Sequence, residues 1–161
     1  MNDLLNKLSS YNLFNYLLPG AVFVFIASKI ANRDLIQGNV FVELAVYYFI
    51  GLVISRVGSL LIEPVLKKIL FLKFADYKDF VEASSKDPKI EVLSEANNTY
   101  RTLCSLFAIT LLVKPYIWAV TVFSPLADWS MTILCFLLLA VFVFSYRKQT
   151  SYITRRVRAN S

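Results

Sequence analysis

Three charged side chains interrupt the apolar stretches of this 161-residue sequence, and they are the first candidates for a chemical role. Arg56 lies within the second apolar stretch, Glu43 near its start, and Lys114 within the third. An ionised side chain inside a bilayer is costly unless it pairs with an opposite charge, reaches the head groups or faces water. Arg56 could therefore line a pore, pair with Glu43 or Glu63, or extend to the head groups, and we favour the last two.

The depth of Lys114 depends on where the third apolar stretch ends. If that stretch ends near Trp118, the ammonium lies about one turn below the bilayer boundary, within reach of water. If it continues to Phe123, Lys114 lies far deeper and becomes a candidate for lining a pore. The sequence is compatible with both placements.

No set of residues in the sequence predicts catalysis, a metal site or a cofactor site. Histidine, the commonest general base and metal ligand, is absent. The apolar stretches contain no aspartate that could form a dyad, and no glycine-rich phosphate loop, Cys-x-x-Cys or Glu-x-x-His pattern occurs. We therefore expect no enzyme activity, no cofactor and no bound metal.

The amount and the distribution of apolar residues predict an integral membrane protein. Hydrophobic residues make up 57% of the chain and charged residues 17%, a balance that a water-soluble domain of this size cannot bury. The apolar residues fall into four long runs, each close to the length that crosses a bilayer as a helix. We predict an all-α fold, a four-helix transmembrane bundle in one integral membrane domain that covers residues 1–161. The predicted spans are 12–28, 40–62, 102–118 and 130–146.

Lysine and arginine concentrate on one side of the predicted bundle. Thirteen of the 17 lie before the first run, between the second and third runs, or after the fourth, whereas the other side carries only Lys29 and Arg33. Because positively charged segments stay in the cytoplasm, we predict a multi-pass inner-membrane protein with both termini cytoplasmic. The position of the tail 147–161 beside an apolar run favours anionic head groups over nucleic acid as its partner. Its candidate lipid contacts are Arg147, Lys148, Arg155, Arg156 and Arg158.

The connecting segment 63–101, predicted to be cytoplasmic, is polar and nearly neutral. We expect an amphipathic piece at 65–73 on the membrane surface, a short helix at 76–85, and a helix at 90–101 that continues into the third span. At about forty residues the segment is longer than two neighbouring helices need. It could dock a cytoplasmic protein or sense a small signalling ligand, or it could be a connector packed under its own bundle.

Small residues recur along one face of the second span. They allow a neighbouring helix to approach closely, and that neighbour belongs either to the same chain or to another copy. We expect a homo-oligomer, because two thin helix pairs bury little by themselves. The face consists of Gly51, Ser55, Gly58 and Ser59.

A proline and a glycine, Pro19 and Gly20, interrupt the first span. Proline lacks the backbone N–H that an inner helical turn uses, and it therefore predicts a kink. The kink is either a hinge that gates a movement or a fixed bend.

Two stretches resemble small bacterial membrane proteins: Tyr11–Gly20, which reads YNLFNYLLPG, and Ser94–Thr102, which reads SEANNTYRT. The general plan resembles the four-helix membrane components of anti-phage defence operons, such as the membrane subunit of the Kiwa system. The resemblance concerns architecture and assigns no binding residue. It implies a membrane-anchored defence component that oligomerises and works with a cytoplasmic partner or signal.

Three functions agree with these features. The first is an oligomeric membrane effector that receives a cytoplasmic signal through the segment 63–101 and the basic tail, and then disturbs or opens the membrane. The second is a passive anchor or scaffold that recruits a soluble partner through the same segment. The third is a small transporter, which would need a polar substrate site at mid-depth.

Overall fold

The computed structural model describes residues 12–33 and 38–159 of the chain. These residues form five helices, with no β-strand among them. All but the third are long and apolar enough to cross a bilayer, which confirms the predicted all-α fold with four candidate spans. Which end of the bundle faces the cytoplasm stays a prediction. The helices are α1 (Leu13–Ala31), α2 (Val40–Lys68), α3 (Tyr77–Lys86), α4 (Lys89–Val122) and α5 (Ser124–Ala159).

Two helices contain a wider, π-helical turn directly before a proline. In α1 this turn is Leu13–Leu17 and precedes Pro19, and in α2 it is Gly58–Ile62 and precedes Pro64. Proline cannot donate the next backbone hydrogen bond, and its ring crowds the preceding turn. A wider turn at this position accommodates both effects without ending the helix.

Helices α4 and α5 are much longer than the predicted spans. They contain 34 and 36 residues, so at 1.5 Å per residue they measure about 51 and 54 Å, roughly 20 Å more than the hydrocarbon core. Both extend beyond their predicted spans at the same end of the bundle, where α2 also continues to Lys68. We call this region the basic end: Glu63–Lys68 of α2, α3, residues 89–101 of α4 and residues 147–159 of α5.

The polar connecting segment is largely helical, as predicted. Helix α3 covers the expected short helix, and α4 begins at Lys89 and runs without a break into the third span. Asp87 marks the break between them, and its side chain accepts a hydrogen bond from the Lys89 backbone N–H at 2.9 Å. Of the amphipathic piece predicted at 65–73, only the part up to Lys68 is helical, because α2 ends there and Leu70 adopts a left-handed conformation with φ of 59°.

Helices α1, α2 and α4 form the packed core. An ideal Cβ placed on Gly51 would lie 1.7 Å from the Tyr16 carbonyl oxygen, and one on Gly20 would lie 1.7 Å from the Tyr47 carbonyl oxygen. The backbones of α1 and α2 therefore touch, which only glycine permits. Leu106 of α4 is fully buried against this pair.

Helix α5 lies outside this core. None of its residues, 124–159, is buried. Its contacts with the core are few: the rings of Phe142 and Phe49 lie 6.1 Å apart, and the Tyr116 hydroxyl lies 2.8 Å from the Ser130 hydroxyl. The hydrogen bonds of Lys148, its ion pair with Glu63 and the ring contact of Tyr152 join α5 to the other helices at the basic end.

Candidate ligand site at the basic end

A neutral polar network joins the three core helices just inside the basic end. The side chain of Asn15 in α1 is fully buried and donates to the Ser55 hydroxyl of α2 at 3.3 Å. The Thr102 hydroxyl of α4 lies 2.8 Å from Asn15 Oδ1 and 3.1 Å from the Ser55 hydroxyl. Because each of these groups has a partner, the network fixes the three helices relative to one another.

One carboxylate, Glu63, lies at the centre of a charged cluster about two turns further along α2. The Arg101 guanidinium donates to it at 2.9 Å and the Lys67 ammonium at 3.1 Å, while the Lys148 ammonium lies 3.5 Å away. Glu63 is only 6% exposed. These contacts join α2, α4 and α5 through a single buried anion, and the cluster carries two more positive charges than negative ones.

Lys148 faces the interior of the bundle instead of the lipid that we predicted as its contact. Its ammonium donates to the Ser59 backbone carbonyl at 2.6 Å and to the Ser59 hydroxyl at 2.8 Å. The reason is local: Ser59 is small and leaves its carbonyl open to a side chain from α5, and Glu63 attracts the charge. This contact is the main polar attachment of α5 to the core.

Arg56 lies about two turns before Glu63 on α2, and its guanidinium donates to the Tyr16 hydroxyl at 3.3 Å. Among the described residues it forms no ion pair, either with Glu43 or with Glu63. Glu43 lies near the opposite end of α2, where its carboxylate accepts from the Gly38 backbone N–H at 2.8 Å. The two ion pairs considered for Arg56 are thus absent from the described contacts, and its side chain instead lines a cavity.

This cavity has a volume of about 580 Å³ and lies between the core helices, α5 and the connecting segment. Helix α3 closes one side through Tyr77 and Phe80, and the Tyr77 ring stacks on the Tyr152 ring of α5 with centroids 6.3 Å apart. Lys67 lies over the ring of Phe74, 3.9 Å from its centroid. The connecting segment therefore folds back as a wall of the cavity without filling it.

The cavity wall is strongly polar and carries an excess of positive charge. Four cationic and two anionic side chains line it, together with carboxamide and hydroxyl groups. The charged residues are Arg56, Lys67, Arg101 and Arg155 against Glu63 and Asp76. The polar neutral residues are Ser55, Ser59, Asn97, Asn98 and Gln149, with Ser94 at the same wall.

The small-residue face of α2 is used within the chain. Gly51 contacts α1, Ser55 belongs to the neutral network, and Ser59 binds Lys148 of α5. Gly58 faces α4, where an added Cβ would lie 3.1 Å from the Arg101 carbonyl oxygen. The face therefore explains the tight packing of one copy and gives no support to contacts between copies.

Pro19 and Gly20 are held firmly in place. Both are buried, and Gly20 contacts the backbone of α2. This packing favours the fixed bend over the hinge, because a hinge movement here would separate two backbones that touch.

Lys114 lies on an exposed side of α4, which continues to Val122. It is therefore about 12 Å from the end of the helix, and its depth in the bilayer stays a prediction. Of the predicted lipid contacts in the tail, Arg155 lines the polar cavity and Arg147 lines an apolar groove between α2 and α5. Arg156 and Arg158 are exposed and outside the cavity.

The roles of three residues that shape this region were not predicted from the sequence: Asn15, Tyr16 and Tyr152. Asn15 and Tyr16 look like residues of a membrane boundary, yet both are buried between helices. Tyr152 occurs within a basic tail, where its contact with Tyr77 has no signature in the sequence. Polar residues spaced along otherwise apolar runs, such as Asn15 and Thr102, are the signal that could have indicated the neutral network.

Comparison of the chain with protein-family models, with curated proteins and with solved structures gave no match. The geometry of the basic end is therefore the basis for the proposals that follow.

Proposed function

We propose that this chain is an inner-membrane protein, with both termini in the cytoplasm, that receives a cytoplasmic signal at the basic end of its bundle. The observation that carries the proposal is the cavity of about 580 Å³, which is lined by cationic and polar side chains and closed by the connecting segment. A connector that only joined two helices would pack against their ends. Here it forms one wall of an open site.

The orientation rests on the distribution of lysine and arginine, because thirteen of the 17 lie at the termini or in the connecting segment. The described residues of those segments meet at one end of the bundle. Reporter fusions test this part of the proposal: a cytoplasm-active reporter should function at either terminus, and opposite results at the two termini would contradict it.

The proposed response is a change in the bundle that disturbs the membrane. Leu106, Ile54 and Val24 fill the centre of the core, so conduction would require several copies. Helix α5, which has no buried residue, provides the surface on which copies could associate. The resemblance to membrane components of anti-phage operons suggests infection as the condition that produces the signal.

The test is the membrane potential of cells that express the protein, with and without phage infection. We expect depolarisation by the unaltered chain and a loss of that response in Ser94→Trp, because an indole at this wall would fill part of the cavity. Ser85→Trp, at an exposed position of α3 that does not line the cavity, is the matched control. An unchanged potential in every condition would contradict the proposed response.

A second candidate function is a passive anchor that recruits a soluble protein. It is favoured by the length of α4 and α5, which project about 20 Å beyond a bilayer core and carry α3 with them. In that case a pull-down should retain a partner while the membrane potential stays constant, and scrambling 69–88 should abolish recruitment without affecting insertion. A transporter has less support, because the inner polar groups are hydrogen-bonded to one another.

A further inference from the structure

We propose that the cavity at the basic end binds a phosphate-bearing anion, with the guanidinium groups of Arg56, Arg101 and Arg155 as its charged donors. This inference rests on the proposed function and names the chemical class of the signal. The phosphate group belongs either to a soluble phosphate ester or to the head group of an anionic phospholipid, and the experiment below distinguishes these two sources.

The first argument is the imbalance of charge. Glu63 already contacts three cations, Lys67, Arg101 and Lys148. Arg56 and Arg155 line the same cavity and form no ion pair with a described carboxylate. Like charges held together at a partly dehydrated site repel one another, and an anion bound between them would relieve that repulsion.

The second argument is the chemistry of the donors. Guanidinium groups present their N–H donors in a planar fork that matches two oxygens of a phosphate. Arg101 uses one of its terminal nitrogens for Glu63, and its buried Nε has no hydrogen-bond partner among the described residues. Asn97, Asn98 and Gln149 add carboxamide donors to the same wall. Such a set suits an anion with several acceptor oxygens better than it suits a simple halide.

The third argument is the size and the remaining lining of the cavity. Its volume lies within the range of roughly 300–1,000 Å³ that small-molecule sites occupy. Tyr77, Phe80 and Tyr152 place aromatic rings on the side opposite the core helices. They provide an apolar surface against which the organic part of a phosphate ester, or the glycerol region of a lipid, could pack.

The experiment uses the full chain purified in neutral detergent and has two arms. In the first, inorganic pyrophosphate is titrated onto the protein at constant ionic strength. In the second, the protein is placed in nanodiscs of phosphatidylcholine alone or with phosphatidylglycerol, and native mass spectrometry measures the retained anionic lipid. Each arm compares the unaltered chain with Arg155→Gln, Arg155→Lys and the matched control Arg156→Gln. Both arginines are exposed, but Arg155 lines the cavity and the neighbouring Arg156 does not.

We expect saturable binding in at least one arm, and the arm that shows it identifies the source of the phosphate. Arg155→Gln should weaken that binding about tenfold or more, the usual loss for a charge-assisted hydrogen bond. Arg155→Lys should retain part of the affinity, since it keeps the charge and loses the fork. Arg156→Gln should leave the affinity nearly unchanged.

Two results would overturn the inference: no saturable binding in either arm, or equal losses for Arg155→Gln and Arg156→Gln, which would indicate unspecific attraction by the basic tail. Circular dichroism and size-exclusion profiles establish that the variants are folded. If binding is absent while Ser94→Trp still abolishes depolarisation, the ligand class is wrong and the proposed function stands. If binding occurs without any change in membrane potential, the ligand class is right and the proposed response is wrong.

Discussion

The three core helices and α5 differ in a way that apolarity alone does not predict. Helix α5 contains the most apolar window of the four long helices, yet none of its residues is buried in the chain. The core helices are less apolar and pack tightly, through glycine contacts and through buried Asn15, Ser55 and Thr102. Lipid tails are as apolar as leucine, so an apolar side chain gains little by leaving them for another helix. Apolar residues thus bring a helix into the bilayer, while small and polar residues select its neighbours.

Helix α5 is attached mainly where it leaves the apolar region. Lys148 contacts Ser59 and Glu63, and Tyr152 stacks on Tyr77 of α3. These contacts border the cavity. A ligand that binds there would therefore act on the same groups that hold α5 against the core, which links the proposed signal to the most loosely packed helix.

The largest effect is expected from Gly51→Leu. The new side chain would collide with the Tyr16 carbonyl oxygen, which lies 1.7 Å from an ideal Cβ. Neither backbone can move without separating α1 from α2, so we expect loss of folded, monodisperse protein in detergent. Ala140→Leu on α5 is the control and should give normal yields, because Ala140 is exposed. Equal yields of the two variants would show that the core is as loosely packed as α5.

Glu63→Gln should be the next most damaging change. It leaves Lys67, Arg101 and Lys148 near one another without their shared anion. The three cations are partly exposed, so we expect a loss of about 1.5–3 kcal/mol, the usual range for hydrogen bonds to a charged group, and unfolding titrations in detergent would measure it. Glu82→Gln, which breaks the exposed pair with Lys86, should change stability very little. If the two substitutions cost the same, the Glu63 cluster does not stabilise the junction of α5 with the core.

Thr102→Val tests the neutral network that distinguishes the core. The substitution keeps the shape and removes the hydroxyl that lies near Asn15 and Ser55, for an expected loss of about 1–2 kcal/mol. Thr110→Val is a matched control, because the Thr110 hydroxyl donates to the Leu106 carbonyl of its own helix and, among the described residues, contacts no polar group of another helix. We expect its effect on the unfolding free energy to be clearly smaller, and the reverse order would argue against the network.

The smallest change in stability, about 1 kcal/mol or less, is expected from Lys148→Met, which weakens the attachment of α5. The two native cysteines provide the measurement: Cys104 is on α4 and Cys135 on α5, and both are exposed. Spin labels on this pair should give a broader distance distribution in Lys148→Met than in the unaltered chain. Arg147→Met, one residue earlier, should leave the distribution unchanged. An equally narrow distribution in both variants would show that α5 is fixed by its apolar contacts.

Much of the fold could be predicted from the sequence because bilayer insertion depends on local composition. Runs of about twenty apolar residues predict spanning helices wherever they occur, and the gap predicted between residues 85 and 90 contains the observed boundary between α3 and α4. The small residues of α2 indicated close packing, although the sequence left the identity of the neighbour open. These inferences need only residues that are near one another along the chain.

The tertiary structure alone decided which polar groups meet. Asn15, Ser55 and Thr102 are far apart in the sequence, as are Glu63, Arg101 and Lys148, and no periodicity relates them. We expected Lys148, which lies beside an apolar run, to extend to lipid, but it turns towards a buried carboxylate. The packing of three helices decides between these two outcomes. The sequence determined that these segments suit a membrane, because that is a property of each segment alone. Only the packed bundle decided that their charged ends enclose a cavity, because that depends on distances between segments.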